Sequence, residues 1–110
     1  MTEITDEYMQ EMRQKTKPYT VMILHKTPKI NEPNADKIVW EHGRRNYQLR
    51  RDGIIRIACP IRDESVVAGI LIFSTNAEET KKIMDEDPGV KAGVFTYEIY
   101  PTRSFPADAL

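Results

Sequence analysis

The sequence predicts an α+β fold in which a four-stranded sheet carries two helices on one face. Three observations lead to this prediction. Four short runs rich in β-branched and aromatic residues alternate with two stretches of helical periodicity, in the order β-α-β-β-α-β. The first and third runs are apolar on both faces, which is typical of central strands, whereas the second and fourth alternate as edge strands do. A further short helix precedes the first strand.

Length and composition limit the class of protein. The 110 residues suffice for one domain with a small hydrophobic core. The 16 basic and 17 acidic residues nearly cancel, so nothing calls for nucleic acid or an anionic membrane as a partner. No apolar run reaches the length of a membrane span, and the acidic N-terminus lacks the order of a signal peptide. A single cysteine excludes an internal disulfide, so we expect a cytoplasmic protein.

A helical extension is expected over residues 1–17. Thr5 can cap this helix through its hydroxyl, and two acidic residues follow in the first turn, where the helix dipole favours them. The Lys17-Pro18 step ends the helix, because the residue before a proline avoids the α region. Residues 19–25 then predict the first strand, covered on both faces.

A long helix over residues 34–53 follows a loop that contains two prolines. At about 100° per residue, six of its side chains fall on one core-facing stripe: Ala35, Ile38, Val39, His42, Asn46 and Leu49. His42 lies in the middle of this stripe. Because a titratable imidazole that faces the core needs a partner or a function, His42 is the first candidate for a functional residue. The arginines of this helix are expected to form a solvated face: Arg44, Arg45, Arg50 and Arg51.

The second strand is predicted over residues 54–60, at an edge of the sheet, because Pro60 cannot donate to a ladder. Alternation would place three apolar side chains on one face: Ile55, Ile57 and Cys59. Arg56 would then point the other way, and Cys59 would be a small buried core residue. A short polar turn leads to residues 66–73, which are apolar throughout, so the two strands should form an antiparallel hairpin.

The predicted chain closes with a helix and a strand. A capping box at residues 75–78 opens a helix that runs through Met84, and the Asp87-Pro88 step breaks it. Residues 93–100 alternate and predict the fourth strand. The complete order is the ferredoxin-like βαββαβ unit with an extra N-terminal helix.

The face of this sheet that carries no helix still has large apolar residues. A patch of that size is rarely exposed on a monomer. We therefore expect a homodimer that buries sheet against sheet about a two-fold axis, which makes a dimeric α+β barrel. Assembly beyond the dimer is left open.

Three stretches resemble the YCII-related family of small dimeric α+β-barrel proteins. They are the helix histidine with its downstream leucine (42–49), the hairpin ACPIRDESVVAGILIFS (58–74) and the segment DPGVKAGVF (87–95), which is the most specific. The resemblance covers residues 18–101 and leaves an N-terminal helical extension, 1–17, and a C-terminal tail, 102–110. Asn46 and Cys59 depart from the family pattern, which more usually has an apolar residue and a glycine there.

The resemblance implies a candidate site made of the helix histidine and the aspartate of the Asp-Pro step, here His42 and Asp87. One branch of the family is similar to enzymes that remove chloride from chlorinated hydroxyhydroquinones. A His-Asp pair suits such chemistry, because an imidazole can accept or give a proton and contributes typically about 10²–10⁴-fold. A carboxylate on its other nitrogen fixes the tautomer.

The His42–Asp87 pair is compatible with three functions. In the first, His42 and Asp87 perform cofactor-independent acid–base chemistry, of a lyase or dehydrochlorinase type, on a small aromatic or enolic molecule. In the second, the pair only joins two helices within a non-catalytic ligand-binding or accessory dimer. The third is an oxygenase of the ABM type, which would need a substrate that itself activates oxygen. An open pocket beside the pair would favour catalysis, whereas a sealed pair would favour a structural role.

Asn46, Arg56 and His25 are the candidate substrate contacts. Asn46 lies one turn beyond His42 and could orient a substrate oxygen or bond the sheet backbone. Arg56 could receive an anionic group, and His25 lies at a strand end, where sites are frequent. Two histidines and one cysteine match no zinc motif, so neither a metal nor another cofactor is expected. Trp40 and Tyr47, on the side of the helix opposite the His42 stripe, are expected at a subunit contact or under the N-terminal helix.

Overall fold

The computed structural model describes residues 3–105 and residue 110. Its elements are α1 (Asp6–Gln14), β1 (Pro18–Lys26), a 3₁₀ turn (Pro28–Asn31), α2 (Ala35–Arg51), β2 (Ile55–Pro60), β3 (Val67–Phe73), α3 (Ala77–Asp85), α4 (Pro88–Lys91) and β4 (Phe95–Arg103). Residues 1–2 of the predicted extension and 106–109 of the predicted tail lie outside the described residues.

The four strands form an antiparallel sheet in the order β2-β3-β1-β4. This is the ferredoxin-like α+β arrangement, and the prediction of the fold is confirmed. The two strands that are apolar on both faces, β1 and β3, occupy the centre, as the sequence indicates. The last strand is longer than predicted, because it pairs with β1 as far as Pro18 opposite Arg103.

Helix α2 lies against the sheet through the predicted stripe. Ala35, His42 and Leu49, spaced by seven residues, are its buried side chains. The helix ends where Gly53 adopts a φ of 78°, a left-handed conformation that favours glycine. Beneath α2 and α3, the inner sides of the central strands supply the core, including Met22, Leu24, Leu71 and Phe73. Each such buried side chain stabilises the fold by about 1.5–3 kcal/mol.

A β-bulge in β2 overturns one predicted face. The pairing with β3 shifts between Ile55 and Ile57, so two residues of β2 lie opposite one residue of β3. Because a bulge inverts the alternation beyond it, Ile55 is buried under the helices while Ile57 and Cys59 lie on the opposite face. The prediction that these three share a face is wrong, and Cys59 is exposed instead of buried.

The face without helices carries the apolar residues on which the expected dimer depends. Ile57 and Ile70 are 38% and 39% exposed there. They pair across β2 and β3 with Ile72 and Cys59 respectively, so the apolar surface is continuous. The sheet-to-sheet homodimer stays a prediction.

The helix caps are mostly as predicted. Thr5 accepts a hydrogen bond from the Tyr8 N–H at 3.1 Å and caps α1, which has no buried residue. The cap of α3 is Asn76, not Thr75, because its side chain accepts from the N–H of Glu79 at 2.8 Å. Among the helices of the described residues, none combines the length and apolar character that crossing a bilayer demands.

Candidate functional site

Asp87 is fixed by the start of α4. Its backbone is extended (φ −66°, ψ 133°), as Pro88 requires, and it is the N-cap of that short helix. One carboxylate oxygen, Oδ2, accepts from the N–H groups of Gly89 at 2.9 Å and Val90 at 3.1 Å. The side chain is fully buried. The carboxylate is therefore held in one orientation by the chain that follows it.

His42 completes this arrangement from α2. Its Nδ1 lies 2.8 Å from Oδ1 and 2.9 Å from Oδ2 of Asp87. Because ionised carboxylate oxygens only accept hydrogen bonds, Nδ1 carries the proton that is shared with Asp87. The predicted pairing of His42 with Asp87 is confirmed, across 45 residues of sequence.

Asn46 contacts the other ring nitrogen of His42. Its Nδ2 lies 3.2 Å from His42 Nε2, so the amide donates to a nitrogen that accepts. The Asn46 Oδ1 is buried and has no hydrogen-bond partner among the described residues. A half-turn of the amide would exchange these two atoms and would suit an Nε2 that has gained a proton. Asn46 can thus serve both protonation states of the imidazole.

Gly89 and Phe95 set the position of the pair. The Phe95 ring lies 4.7 Å from the imidazole, centroid to centroid, with a tilt of 48°. A Cβ at Gly89 would come within 2.5 Å of Phe95 Cδ2 and 3.1 Å of Asp87 Oδ2. Glycine is therefore required where α4, β4 and the carboxylate meet. The DPGVKAGVF segment contains both residues, but the sequence did not indicate what the glycine does.

Arg45 adds a positive charge behind the pair. Its Nη1 lies 3.8 Å from Asp87 Oδ1 and is buried, without a hydrogen-bond partner in residues 3–105. The guanidinium is too far from the carboxylate for a hydrogen bond, and its charge lies beside Oδ1. The prediction of a fully solvated arginine face is wrong at this position, because Arg45 turns toward α4.

His42 of this pair borders an open pocket of about 670 Å³ between α2 and the sheet. All four strands contribute to its floor, through Leu24, Ala58, Ala68 and Phe95 among others. Helix α2 forms the opposite wall with Val39, His42, Gly43, Asn46, Tyr47 and Arg50. Most of the lining is apolar, with few polar groups, which is typical of small-molecule sites. His42 and Asn46 face the same cavity.

The other predicted contacts lie elsewhere. His25 is on the face without helices, where its Nε2 lies 2.5 Å from Glu98 Oε1. Hydrogen bonds from Tyr100 and then from His25 hold the pKa of Glu98 below its usual range. Arg56 is exposed at the bulge of β2. The pocket instead contains Lys26 and Arg50, which the sequence had not indicated as contacts.

No ligand set for a metal is assembled in the part of the chain that the structure describes. No group of three or more His, Cys, Asp or Glu side chains there could hold an ion. The pocket wall offers a different chemistry, namely one imidazole with a fixed tautomer, one amide and two cations in an apolar surround.

Comparison with known proteins extends the fold assignment. No family model matches the chain, and no curated protein matches it. Among solved structures, the chain is similar to 5-chloro-2-hydroxyhydroquinone dehydrochlorinase from Burkholderia phenoliruptrix AC1100, in complex with 2,5-dihydroxybenzoquinone. The TM-score is 0.54 at 16% identity, over 74% of this chain and 90% of that one. At this identity the likeness shows a shared fold.

Proposed function

We propose that this protein is a small cofactor-independent enzyme, of the YCII-related type, that performs acid–base chemistry on a small aromatic or enolic molecule. One observation carries the proposal. His42 lies at the wall of an open pocket, with Nδ1 bonded to a buried carboxylate and Nε2 turned to the amide of a pocket residue. A pair that served only to join α2 to α4 would need no such cavity.

The proposed step is the removal of a proton from a bound hydroxyl. Nε2 of His42 takes the proton from a phenolic or enolic O–H, and the electron pair passes into the conjugated system. Asp87 keeps the other ring proton on Nδ1 and stabilises the imidazolium that forms. Asn46 rotates its amide so that Oδ1 accepts from the new N–H. The proton can then return to a ring carbon, which gives a keto tautomer. If that carbon carries a leaving group such as chloride, removal of a second hydroxyl proton sends an electron pair back through the ring and expels it.

The named reaction of the structural neighbour gives this scheme a first substrate to try. A dehydrochlorinase removes the elements of hydrogen chloride, which is the second outcome of the proposed step. For this protein we propose only the class of reaction, which is that of a lyase or isomerase acting on a hydroxylated ring. The apolar floor, with Phe95 beside His42, supports an aromatic ligand.

We further propose that the protein acts as a cytoplasmic homodimer through the face of the sheet that carries no helix. The exposed isoleucines of β2 and β3 support this proposal, because a continuous apolar surface of that kind is rarely left in water. Size-exclusion chromatography with light scattering would test it. An Ile57→Lys, Ile70→Lys double variant should elute as a monomer, whereas an unchanged dimer would contradict the proposed interface.

The test of catalysis uses 5-chloro-2-hydroxyhydroquinone and a set of unchlorinated hydroquinones. Chloride release and exchange of ring hydrogens with deuterated water report the two outcomes. We expect His42→Ala to lower the rate by about 10²–10⁴-fold. His25→Ala is the matched control, because His25 has a carboxylate partner outside the pocket. Wild-type rates in folded His42→Ala would contradict the proposal.

The second candidate function is a non-catalytic carrier or sensor of small molecules. The apolar lining of the pocket favours it as much as it favours an enzyme. It predicts binding without exchange or chloride release for every compound tried. A rate above that of buffer, lost in His42→Ala, decides against it.

A further inference from the structure

The pocket contains two positive charges and no carboxylate among its lining residues in the described chain. Lys26 enters from the end of β1, and Arg50 from the last turn of α2. The acid of the site, Asp87, lies behind His42 and does not line the cavity. The cavity surface is therefore positive and its walls are mostly apolar, while the Arg50 side chain is also exposed to solvent.

Arg50 differs from the other arginines of α2 because its side chain has no partner among the described residues. Arg44 donates to Glu41 at 3.1 Å, Arg45 faces Asp87, and Arg51 donates to Gln48 at 2.8 Å. Within residues 3–105, Arg50 makes no ion pair and its guanidinium makes no hydrogen bond. The one arginine of α2 that lines the pocket is thus the one that the fold leaves available.

Lys26 is also available, although it has an acidic neighbour. It is half-buried and makes no salt bridge in the described chain. The N–H and hydroxyl of Ser65 are the main causes that lower the pKa of Asp63, and the charge of Lys26 adds a smaller effect through space. Asp63 itself is bonded to Ser65 and does not line the pocket.

The spacing along α2 places these charges at a useful distance from His42. His42, Asn46 and Arg50 follow each other at intervals of four residues, so they form one row with a rise of about 6 Å per step. Long side chains on a helix lean toward its N-terminus, which brings the Arg50 guanidinium back toward Asn46. A ring seated on Ala58 and Ala68 could reach His42 at one end and the cations at the other.

From this arrangement, the geometry points to an anionic ligand: a hydroxylated aromatic or enolic carboxylate. Its carboxylate would be bound by Lys26 and Arg50, and its hydroxyl would face Nε2 of His42. Arg50 can bind a carboxylate through two parallel N–H groups, and Lys26 through its ammonium. The placement of the hydroxyl rests on the proposed function, whereas the placement of the carboxylate does not.

Two probes that differ in one group test this inference. The probes are 2,5-dihydroxybenzoate and hydroquinone, which share a ring and a 1,4 pair of hydroxyls. Calorimetric titration of the whole protein should give at least about tenfold tighter binding of the carboxylate, which corresponds to one charge-assisted hydrogen bond. The preference should shrink as salt is added, because salt screens the attraction.

Single variants locate the charge that is responsible. Lys26→Met and Arg50→Met should each lose most of the preference, and the double variant should bind both probes equally. Arg51→Met is the matched control, because Arg51 is the next residue on the helix and lies outside the pocket. Equal binding of the probes by wild-type protein, no binding of the carboxylate, or a preference that survives in the double variant would overturn the inference.

His42→Ala separates this inference from the proposed function. The variant should keep the preference for the carboxylate while it loses hydrogen exchange on the ring. If wild-type protein lacks the preference but His42→Ala still abolishes turnover, the proposed carboxylate site at Lys26 and Arg50 is wrong, whereas the proposed acid–base function is retained. If the preference is present and His42→Ala turns over normally, the proposed acid–base function is wrong, whereas the carboxylate site at Lys26 and Arg50 is retained.

Discussion

Two histidine–carboxylate pairs lie on opposite sides of one sheet. His25 contacts Glu98 at 2.5 Å on the face without helices, where the two side chains are 26% and 47% exposed. His42 contacts Asp87 at 2.8 Å under α2, where the side chains are 9% and 0% exposed. The residue types and distances are similar, so the difference between the pairs lies in what surrounds them.

The surroundings decide how firmly each pair is held. In a single chain, water reaches both members of the exposed pair, and such pairs contribute little to stability. By contrast, one carboxylate oxygen of Asp87 accepts from two backbone N–H groups, and Arg45 of α2 lies beside the other oxygen. Removal of any one member would leave buried groups without partners, which is costly. Of the two pairs, the buried one is therefore held in a single geometry.

The two pairs also use different ring nitrogens. His25 turns its Nε2 to Glu98, whereas His42 turns its Nδ1 to Asp87. In His42 this leaves Nε2 on the pocket side, next to Asn46. The nitrogen that a carboxylate occupies therefore determines which nitrogen remains for a ligand.

The largest expected effect comes from removing the two carboxylates in turn. Asp87→Ala should lower the free energy of unfolding by about 3–5 kcal/mol, because it leaves His42, Arg45 and two backbone N–H groups without a partner. Glu98→Ala should leave the unfolding midpoint close to that of the wild type. Urea denaturation followed by circular dichroism measures both. Equal midpoints for the two variants would mean that burial does not make the His42–Asp87 pair more stabilising than the exposed pair.

The next effect concerns the glycine that lets the buried pair form. Gly89→Ala should cost about 1–3 kcal/mol, because the added methyl group overlaps Phe95 and crowds Asp87. Gly43→Ala is the matched control. A Cβ at Gly43 meets no atom within 4 Å, so this change in a helix interior should instead stabilise by about 0.5–1 kcal/mol. If Gly89→Ala leaves the free energy of unfolding unchanged, the Phe95 ring can move aside at little cost.

A smaller effect is expected at Asn46. Asn46→Leu should lower turnover by about tenfold, the value of one hydrogen bond to a charged group, because nothing then accepts from the protonated Nε2. Asn46→Asp should also lower turnover, since a carboxylate would hold a proton on Nε2 before the substrate binds. If the Leu variant turns over as fast as the wild type, Asn46 is only a wall residue.

The smallest effect is the acid dependence of the exposed pair. The pKa of Glu98 is lowered, by Tyr100 first and His25 second. A carboxyl group with a lowered folded pKa contributes stability above its unfolded value, about 4.3, and loses that contribution as the pH falls through the folded value. Glu98→Gln should therefore flatten the decline of thermal stability in acid. An unchanged acid decline would show that the pair has no energetic coupling to the fold.

The sequence predicted the fold well because strand position leaves a mark on composition. Central strands are covered on both sides, so β1 and β3 are apolar at successive positions, and this signal is local. The bulge in β2 leaves no such mark. One extra residue at Arg56 inverted the alternation of every residue after it, which misplaced Ile57 and Cys59. A prediction based on strict alternation of side chains along a strand cannot detect such a bulge.

The site was predicted in part for the same reason. His42 was indicated by helical periodicity, and Asp87 by resemblance to a family motif, although 45 residues separate them. The two cations of the pocket were not predicted, because Lys26 and Arg50 line one cavity only when a strand end and a helix end converge on it. Arg56, chosen by strand alternation, is displaced by the bulge. Contacts that depend on tertiary convergence have no local pattern in a single sequence.

We expect Asp87 to keep the proton of His42 on Nδ1, so that Nε2 is presented to the pocket. Nitrogen NMR of the two imidazoles, at a pH where both are neutral, tests it directly. We predict opposite tautomers in one spectrum, with the proton of His42 on Nδ1 and that of His25 on Nε2. Asp87→Asn should disturb the first and leave the second unchanged. A His42 that carries its proton on Nε2 would contradict the claim.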